Sequence, residues 1–303
     1  MKSSWICIFL LISVNFVWAQ KEGLAPSNGV DIHYKIFGKG QPLLIINGGP
    51  GFGSEGFIPL AREFGENYQA IIYDQRGTGK STLNSLSASS ITMDLMVEDM
   101  EALRRHLNID KWTLLGHSFG GIMAAYYTTK HPDRVERIVF SSSGGLDLEL
   151  LNEVGQRVNS RLTQQERDSL AYWNAQIRGG DNSYRARLGR GMALAPAYVN
   201  NKEHVPVIAQ RLTEGNMPIN SIVWSDLRRI NYDTKDLLRT FDKPVLIIQG
   251  KDDILNVSIA ENAHRVLPNS KLVLLDDCGH YGWLDRKAAY FEAIYSFLDK
   301  AKG

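Results

Sequence analysis

Three residue types that together perform acyl transfer stand at separate points of the chain. Ser118 lies in Gly116-His117-Ser118-Phe119-Gly120, a G-x-S-x-G pattern. A serine hydroxyl becomes a nucleophile at neutral pH only with a base beside it. His280, in "LLDDCGHYGW", is the candidate base. An acid must then hold the imidazole tautomer and offset its charge once protonated. "QGKDDI" offers Asp252 and Asp253, either of which could instead form the turn or cap the next helix. Asp276 and Asp277 sit so close to His280 in sequence that they read as shaping its loop. His117 adjoins Ser118 but should point elsewhere, and His33, His106, His131, His204 and His264 read as structural or solvated. A tetrahedral intermediate also needs N–H donors for its oxyanion. One is the amide of Phe119, the residue after the nucleophile. The glycine-rich "IINGGPGFGS" is placed to supply the other, and it lacks the Lys-Ser/Thr and the G-x-G-x-x-G of phosphate-binding loops.

These residues need strand ends to hold them. Six apolar, β-rich runs recur at 42–48, 68–74, 111–116, 137–143, 243–250 and 270–277. Near-continuous apolar runs of that length suit strands buried on both faces of a parallel sheet. Amphipathic stretches at 91–107, 119–130, 258–267 and 286–300 lie between them as helices, and "GVDIHYKIFGKG" alternates like an antiparallel entry strand. Strand and helix in alternation predict an α/β fold with a mostly parallel central sheet flanked by helices. Ser118 then falls in a strand–serine–helix turn, the nucleophile-elbow setting. Asp252 and Asp253 follow the strand at 243–250, and His280 follows the last strand. The rhythm stops between 145 and 240, a polar helical segment with scattered aromatics, which predicts a cap over the strand ends where ligands bind. The core domain is accordingly 20–144 with 241–303.

The first nineteen residues form a separate unit. Lys2 precedes an apolar run from Trp5 to Val14, and Ala19 precedes Gln20. This pattern predicts a secretory signal peptide cleaved after Ala19 and a secreted or periplasmic, bacterial protein with no membrane span after cleavage. Cys7 would leave with that segment, so Cys278 stays alone and no intramolecular disulfide can form. The 34 basic and 33 acidic residues include no basic run, and nothing favours nucleic acid as a partner. The expected partner is a small-molecule or short-peptide substrate. No cluster has metal-ligand spacing, and the chemistry requires neither metal nor organic cofactor. "NVS" at 256–258 matches a glycosylation acceptor by accident.

"NGGPG" (47–51), "DQRGTGKS" (74–81) and "GHSFGG" (116–121), in this order, resemble the proline iminopeptidase group of α/β-hydrolase fold serine hydrolases. The likeness runs from about residue 29 to the C-terminus and is strongest outside the insertion. It implies Ser118 as nucleophile, His280 as base and Asp253, three residues after Gly250, as acid. It also implies the amide of Gly49 as the second oxyanion donor, and Asp74 and Arg76 as braces for the loops. Two positions depart from the group. Asn47 replaces a histidine. The glutamates that hold a substrate amine are not evident, since Ile254 follows Asp253 and the cap stretch 215–233 has asparagine and serine where a glutamate is expected; Glu149, Glu153, Glu203 or Glu214 could substitute, each read as solvated. The expected function is a secreted peptidase releasing an N-terminal residue from small peptides. A carboxylesterase, amidase or lactonase is the alternative, and a non-catalytic binding protein of the same fold is the remote one. Ser118 argues against the epoxide hydrolases and dehalogenases of this fold, whose nucleophile is an aspartate.

Overall fold

A computed structural model describes residues 20–299. The expected signal peptide, residues 1–19, lies outside the described residues. Eight strands form one sheet: β1 Lys21–Ser27, β2 Val30–Phe37, β3 Pro42–Ile46, β4 Gln69–Tyr73, β5 Trp112–His117, β6 Val135–Ser141, β7 Val245–Gly250 and β8 Ser270–Leu275. Their order is β1-β2-β4-β3-β5-β6-β7-β8. The first two strands enter antiparallel and all later pairings are parallel. The six apolar runs and the alternating entry strand of the sequence are all strands. β1 escaped the sequence reading because it is a largely exposed edge strand with a proline and no apolar alternation.

The helices follow the same physical rules. They are α1 Ile58–Gly65, α2 Met93–His106, α3 Phe119–Lys130, α4 Val154–Arg161, α5 Gln164–Arg178, α6 Tyr184–Leu194, α7 Val205–Leu212, α8 Met217–Arg229, α9 Lys235–Leu238, α10 Val257–Val266, α11 Gly282–Asp285 and α12 Lys287–Asp299. Thr92 caps α2 by accepting from the Leu95 amide, and Met93, Met96, Val97, Met100 and Leu103 form one buried stripe. α3 is buried almost all round, as a helix wedged against the sheet must be.

Side chains alternate across the sheet to build two cores. Leu44 and Ile46 of β3 face one side with α2 and α3. Leu43 and Ile45 face the other with Phe57, Phe64 and the α12 residues Phe291 and Ile294. The chain leaves β3 toward β4 on one flank and leaves β5 toward β6 on the other. The crevice between the carboxyl ends of β3 and β5 is therefore the topological switch point, where such sheets bind ligands. The helical insertion lies between β6 and β7 and contains α4 to α9. Among the described residues no helix is long and apolar enough to cross a membrane.

Candidate active site

Ser118 sits between the last residue of β5 and the first of α3, with φ 55° and ψ −120°. That is a strained backbone for a residue with a side chain. The surroundings enforce it. The Ser118 amide donates to the Ser141 carbonyl at 3.1 Å, and the Ser118 carbonyl accepts from Gly121 and Gly144, each at 2.9 Å. A Cβ on Gly120 would collide with the Ile46 carbonyl, so only glycine lets α3 approach β3 this closely. The turn pushes Ser118 toward the loop after β3, where a Cβ added to Gly48 would lie 2.6 Å from the Ser118 Cβ.

His280 follows β8 and is buried. Its Nδ1 lies 2.7 Å from Oδ1 of Asp253, the fully buried residue on the loop after β7. That oxygen also accepts from the Leu255 amide at 3.0 Å, and the other accepts from Gln249 Nε2 at 2.8 Å. The carboxylate thus has partners for both oxygens, as burial requires. Asp252 takes no part in this network, and its amide donates to the Cys278 carbonyl at 2.9 Å. With Nδ1 committed to Asp253, Nε2 is the imidazole nitrogen left to exchange a proton.

His117 takes a different place. Its Nδ1 faces the Ser141 carbonyl at 3.2 Å, and its ring packs among His280, Tyr281 and Trp283. Burial, with His280 and Arg211 beside it, holds it well below the ordinary histidine range. It is a packing residue under the site.

The glycine-rich loop is braced from several sides. Pro50 and Gly51 form a tight turn in which the Phe52 amide donates to the Gly49 carbonyl at 3.1 Å, with Gly51 at φ 89°. Asn47, in place of a histidine, closes the loop on itself by donating to the Phe52 carbonyl at 3.1 Å. Gln75 donates to the Asn47 carbonyl at 3.0 Å. Asp74 accepts from the Ser54 amide and hydroxyl, each at 2.8 Å, from the Lys80 amide at 2.9 Å, and meets His33 Nδ1 at 2.9 Å. Burial works to raise its carboxyl, but these hydrogen bonds outweigh it and hold the group below the usual carboxylate range. Arg76 forms a buried bidentate pair with Asp99, both contacts 2.7 Å.

The helical insertion holds the backbone of the loops after β3, β7 and β8. Arg157 donates to the Asp253 carbonyl at 2.7 Å. The His280 amide donates to the Tyr198 carbonyl at 2.7 Å, and the two rings meet edge-on at 5.6 Å. Arg211 donates to the Gly48 carbonyl and Asn220 to the Pro50 carbonyl, each at 3.0 Å. The Asn216 amide donates to the Gly51 carbonyl at 2.9 Å. No sequence signal singled out Arg157, Tyr198, Arg211 or Asn220, because arginines and aromatics are scattered along the whole insertion.

Between insertion and sheet lies a cavity of about 290 Å³ that Ser118, His280, Gly49 and Phe119 all line. Most of its wall is apolar or aromatic, including Phe52, Ile122, Leu194, Met217, Trp224 and Leu255. Its full charges, apart from the titratable His280, are the guanidinium groups of Arg190 and Arg211. Burial raises the Tyr281 phenol, and Arg211 beside its hydroxyl counters that rise. The four glutamates considered as amine ligands lie elsewhere. Glu149 and Glu153 are exposed and bond to Asn262 and Asn256, and neither Glu203 nor Glu214 lines the cavity. Asn256, the first residue of the "NVS" triplet, caps α10 by accepting from the Ser258 amide at 3.1 Å.

A family model described as alpha/beta hydrolase fold matches residues 41–287. The chain is similar to the proline iminopeptidase of Lactobacillus helveticus, 26% identical with 92% of this chain and 98% of the relative covered. It is similar in structure to a 2-hydroxy-6-oxo-6-phenylhexa-2,4-dienoate hydrolase from Rhodococcus sp. strain RHA1, at TM-score 0.73 and 19% identity over 93% of this chain and 100% of that one. It is also similar to an esterase from Rhodococcus sp. ECU1013, at TM-score 0.72 and 20% identity over 92% of this chain and 98% of that one.

Proposed function

The chain belongs to the alpha/beta hydrolase fold family, and on that premise we propose that it is a serine hydrolase that transfers an acyl group from a small substrate to water. The observation that carries this reading is the 2.7 Å contact between buried Asp253 and Nδ1 of His280, which lines a cavity together with Ser118. Ser118 Oγ attacks the acyl carbonyl while His280 Nε2 takes its proton. Asp253 stabilises the imidazolium. The amides of Gly49 and Phe119 receive the oxyanion. The tetrahedral intermediate collapses, His280 returns the proton to the leaving group, and an acyl-serine remains. Water then gives its proton to His280 and attacks the acyl-serine. Collapse of the second intermediate returns that proton to Ser118 and releases the acid.

Two substrate readings have support. Curated relatives at about 26% identity are proline iminopeptidases, which favours release of an N-terminal residue from small peptides. The cavity favours an ester, amide or lactone without a free amine, because Arg190 and Arg211 would repel an ammonium group in this largely apolar space. Export is part of the proposal and rests on the sequence of residues 1–19.

Labelling with a fluorophosphonate tests the mechanism and separates an enzyme from a binding protein of the same fold. Folded wild-type protein should be modified at Ser118, Asp253→Asn should react far more slowly, and Ser118→Ala should not react. Folded wild-type protein that stays unlabelled would overturn the assignment. Rates on proline p-nitroanilide, its N-blocked form and short-chain esters then choose between the substrate readings.

A further inference from the structure

Arg190 projects from α6 into the cavity wall and is half-buried. Its Nε donates to Asn174 Oδ1 at 2.9 Å, which fixes the plane of the guanidinium. Its two terminal nitrogens have no protein partner among the described residues, and neither has a carboxylate beside it. Arg211 differs. It donates to the Gly48 carbonyl at 3.0 Å and lies over the rings of Phe52 and Phe57, at 5.1 and 4.8 Å. The cavity thus holds one cation committed to the fold and one oriented cation with donors to offer.

Arg190 also has a defined side of the cavity. It shares the cavity wall with Tyr198, whose ring lies edge-on against His280. In acyl transfer the histidine delivers its proton to the departing atom, so the wall beside it faces the leaving group. A planar guanidinium fixed at one nitrogen, with two parallel donors open, matches the two oxygens of a carboxylate. A guanidinium in a mostly apolar cavity also gains from an anionic partner when ligand displaces water.

We propose that this site selects substrates whose leaving group carries a carboxylate, held by Arg190, while the apolar wall receives an uncharged acyl group. This inference rests on the serine hydrolase reading and specifies its substrate class.

The test compares 3-carboxyphenyl butyrate with 3-carbamoylphenyl butyrate, two esters of similar shape that differ in that charge. Wild-type kcat/KM should favour the carboxylate by about tenfold or more, the range of a charge-assisted hydrogen-bonded pair. Benzoate should compete with the neutral ester. Arg190→Gln should bring the ratio close to one, and Arg190→Lys, the milder change, should keep part of it. A wild-type ratio at or below one, or a high ratio that Arg190→Gln leaves intact, overturns the proposal. Turnover of the neutral ester with no carboxylate preference defeats this inference alone. Absence of both turnover and Ser118 labelling defeats the hydrolase reading and this inference with it.

Discussion

Arg211 of the insertion donates Nη2 to the carbonyl of Gly48 at 3.0 Å. That carbonyl belongs to the same peptide unit as the N–H of Gly49, the proposed oxyanion donor. A cation on the carbonyl end polarises the unit and makes the N–H a stronger donor, and it also fixes the plane in which that N–H points. Arg211 is therefore a positioning residue. Arg211→Gln should lower kcat by about 10- to 100-fold, the scale of an impaired oxyanion donor, with a much smaller change in KM. Steady-state kinetics on one good ester decide the matter, and an effect confined to KM would rule this role out.

Ser118 carries a φ of 55°. Holding a non-glycine residue there costs about 1–3 kcal/mol, and glycine's extra freedom in the unfolded chain offsets only part of what its substitution would relieve. Ser118→Gly should therefore abolish turnover and raise stability by about 1 kcal/mol. Ser118→Ala should abolish turnover and leave stability near that of the wild type. Denaturant unfolding of the three proteins measures this, and a glycine variant less stable than the alanine variant would show that the turn is unstrained.

Gly120 sits where α3 crosses the end of β3. A methyl group there would strike the Ile46 carbonyl, which is backbone and cannot rotate aside. Gly120→Ala should cost about 3 kcal/mol through overpacking and should disturb the neighbouring Phe119 amide as well. A thermal midpoint within a degree of the wild type would contradict the close approach.

Glu101 on α2 links acid sensitivity to a named group. It accepts from Arg104 Nη2 at 2.6 Å, from Arg105 Nε at 2.9 Å and from the Tyr127 hydroxyl at 2.9 Å. Burial works to raise the carboxyl, but these partners outweigh it and bring it down to about 2. A carboxyl depressed in the folded state binds its proton first in the unfolded state. Its contribution is therefore complete above about pH 4.5 and fades as pH falls toward about 2. The loss is on the order of 2 kcal/mol after allowance for solvent screening. Glu101→Gln should flatten the stability curve across that window. An unchanged acid slope by denaturant unfolding at several pH values would exclude Glu101 as its source.

Much of the molecule was legible in the sequence because its signals are local. A strand buried on both faces needs an unbroken apolar run, so Pro42–Ile46, Gln69–Tyr73 and Val245–Gly250 announced themselves. α3 begins at Phe119 and ends at Lys130, as its pattern required. A tight strand-to-helix turn demands small neighbours, which made Ser118 visible, and a tight loop of bare amides made "NGGPG" visible. The edge strand β1 was not legible, since one exposed face imposes no apolar pattern.

Other facts belong to the tertiary structure alone. Asp252 and Asp253 are alike in sequence, and only the path of the chain after β7 buries one of them against His280. Arg190 and Arg211 are two arginines among many in the insertion, and a charge along the chain carries no record of which cavity it will enter. The chain alone placed a serine, a histidine and a pair of aspartates after strand ends. Folding decided which aspartate meets the histidine, which arginine lines the cavity beside Asn174 and which one holds the glycine-rich loop. Those contacts join residues as much as 163 positions apart, where no local pattern reaches.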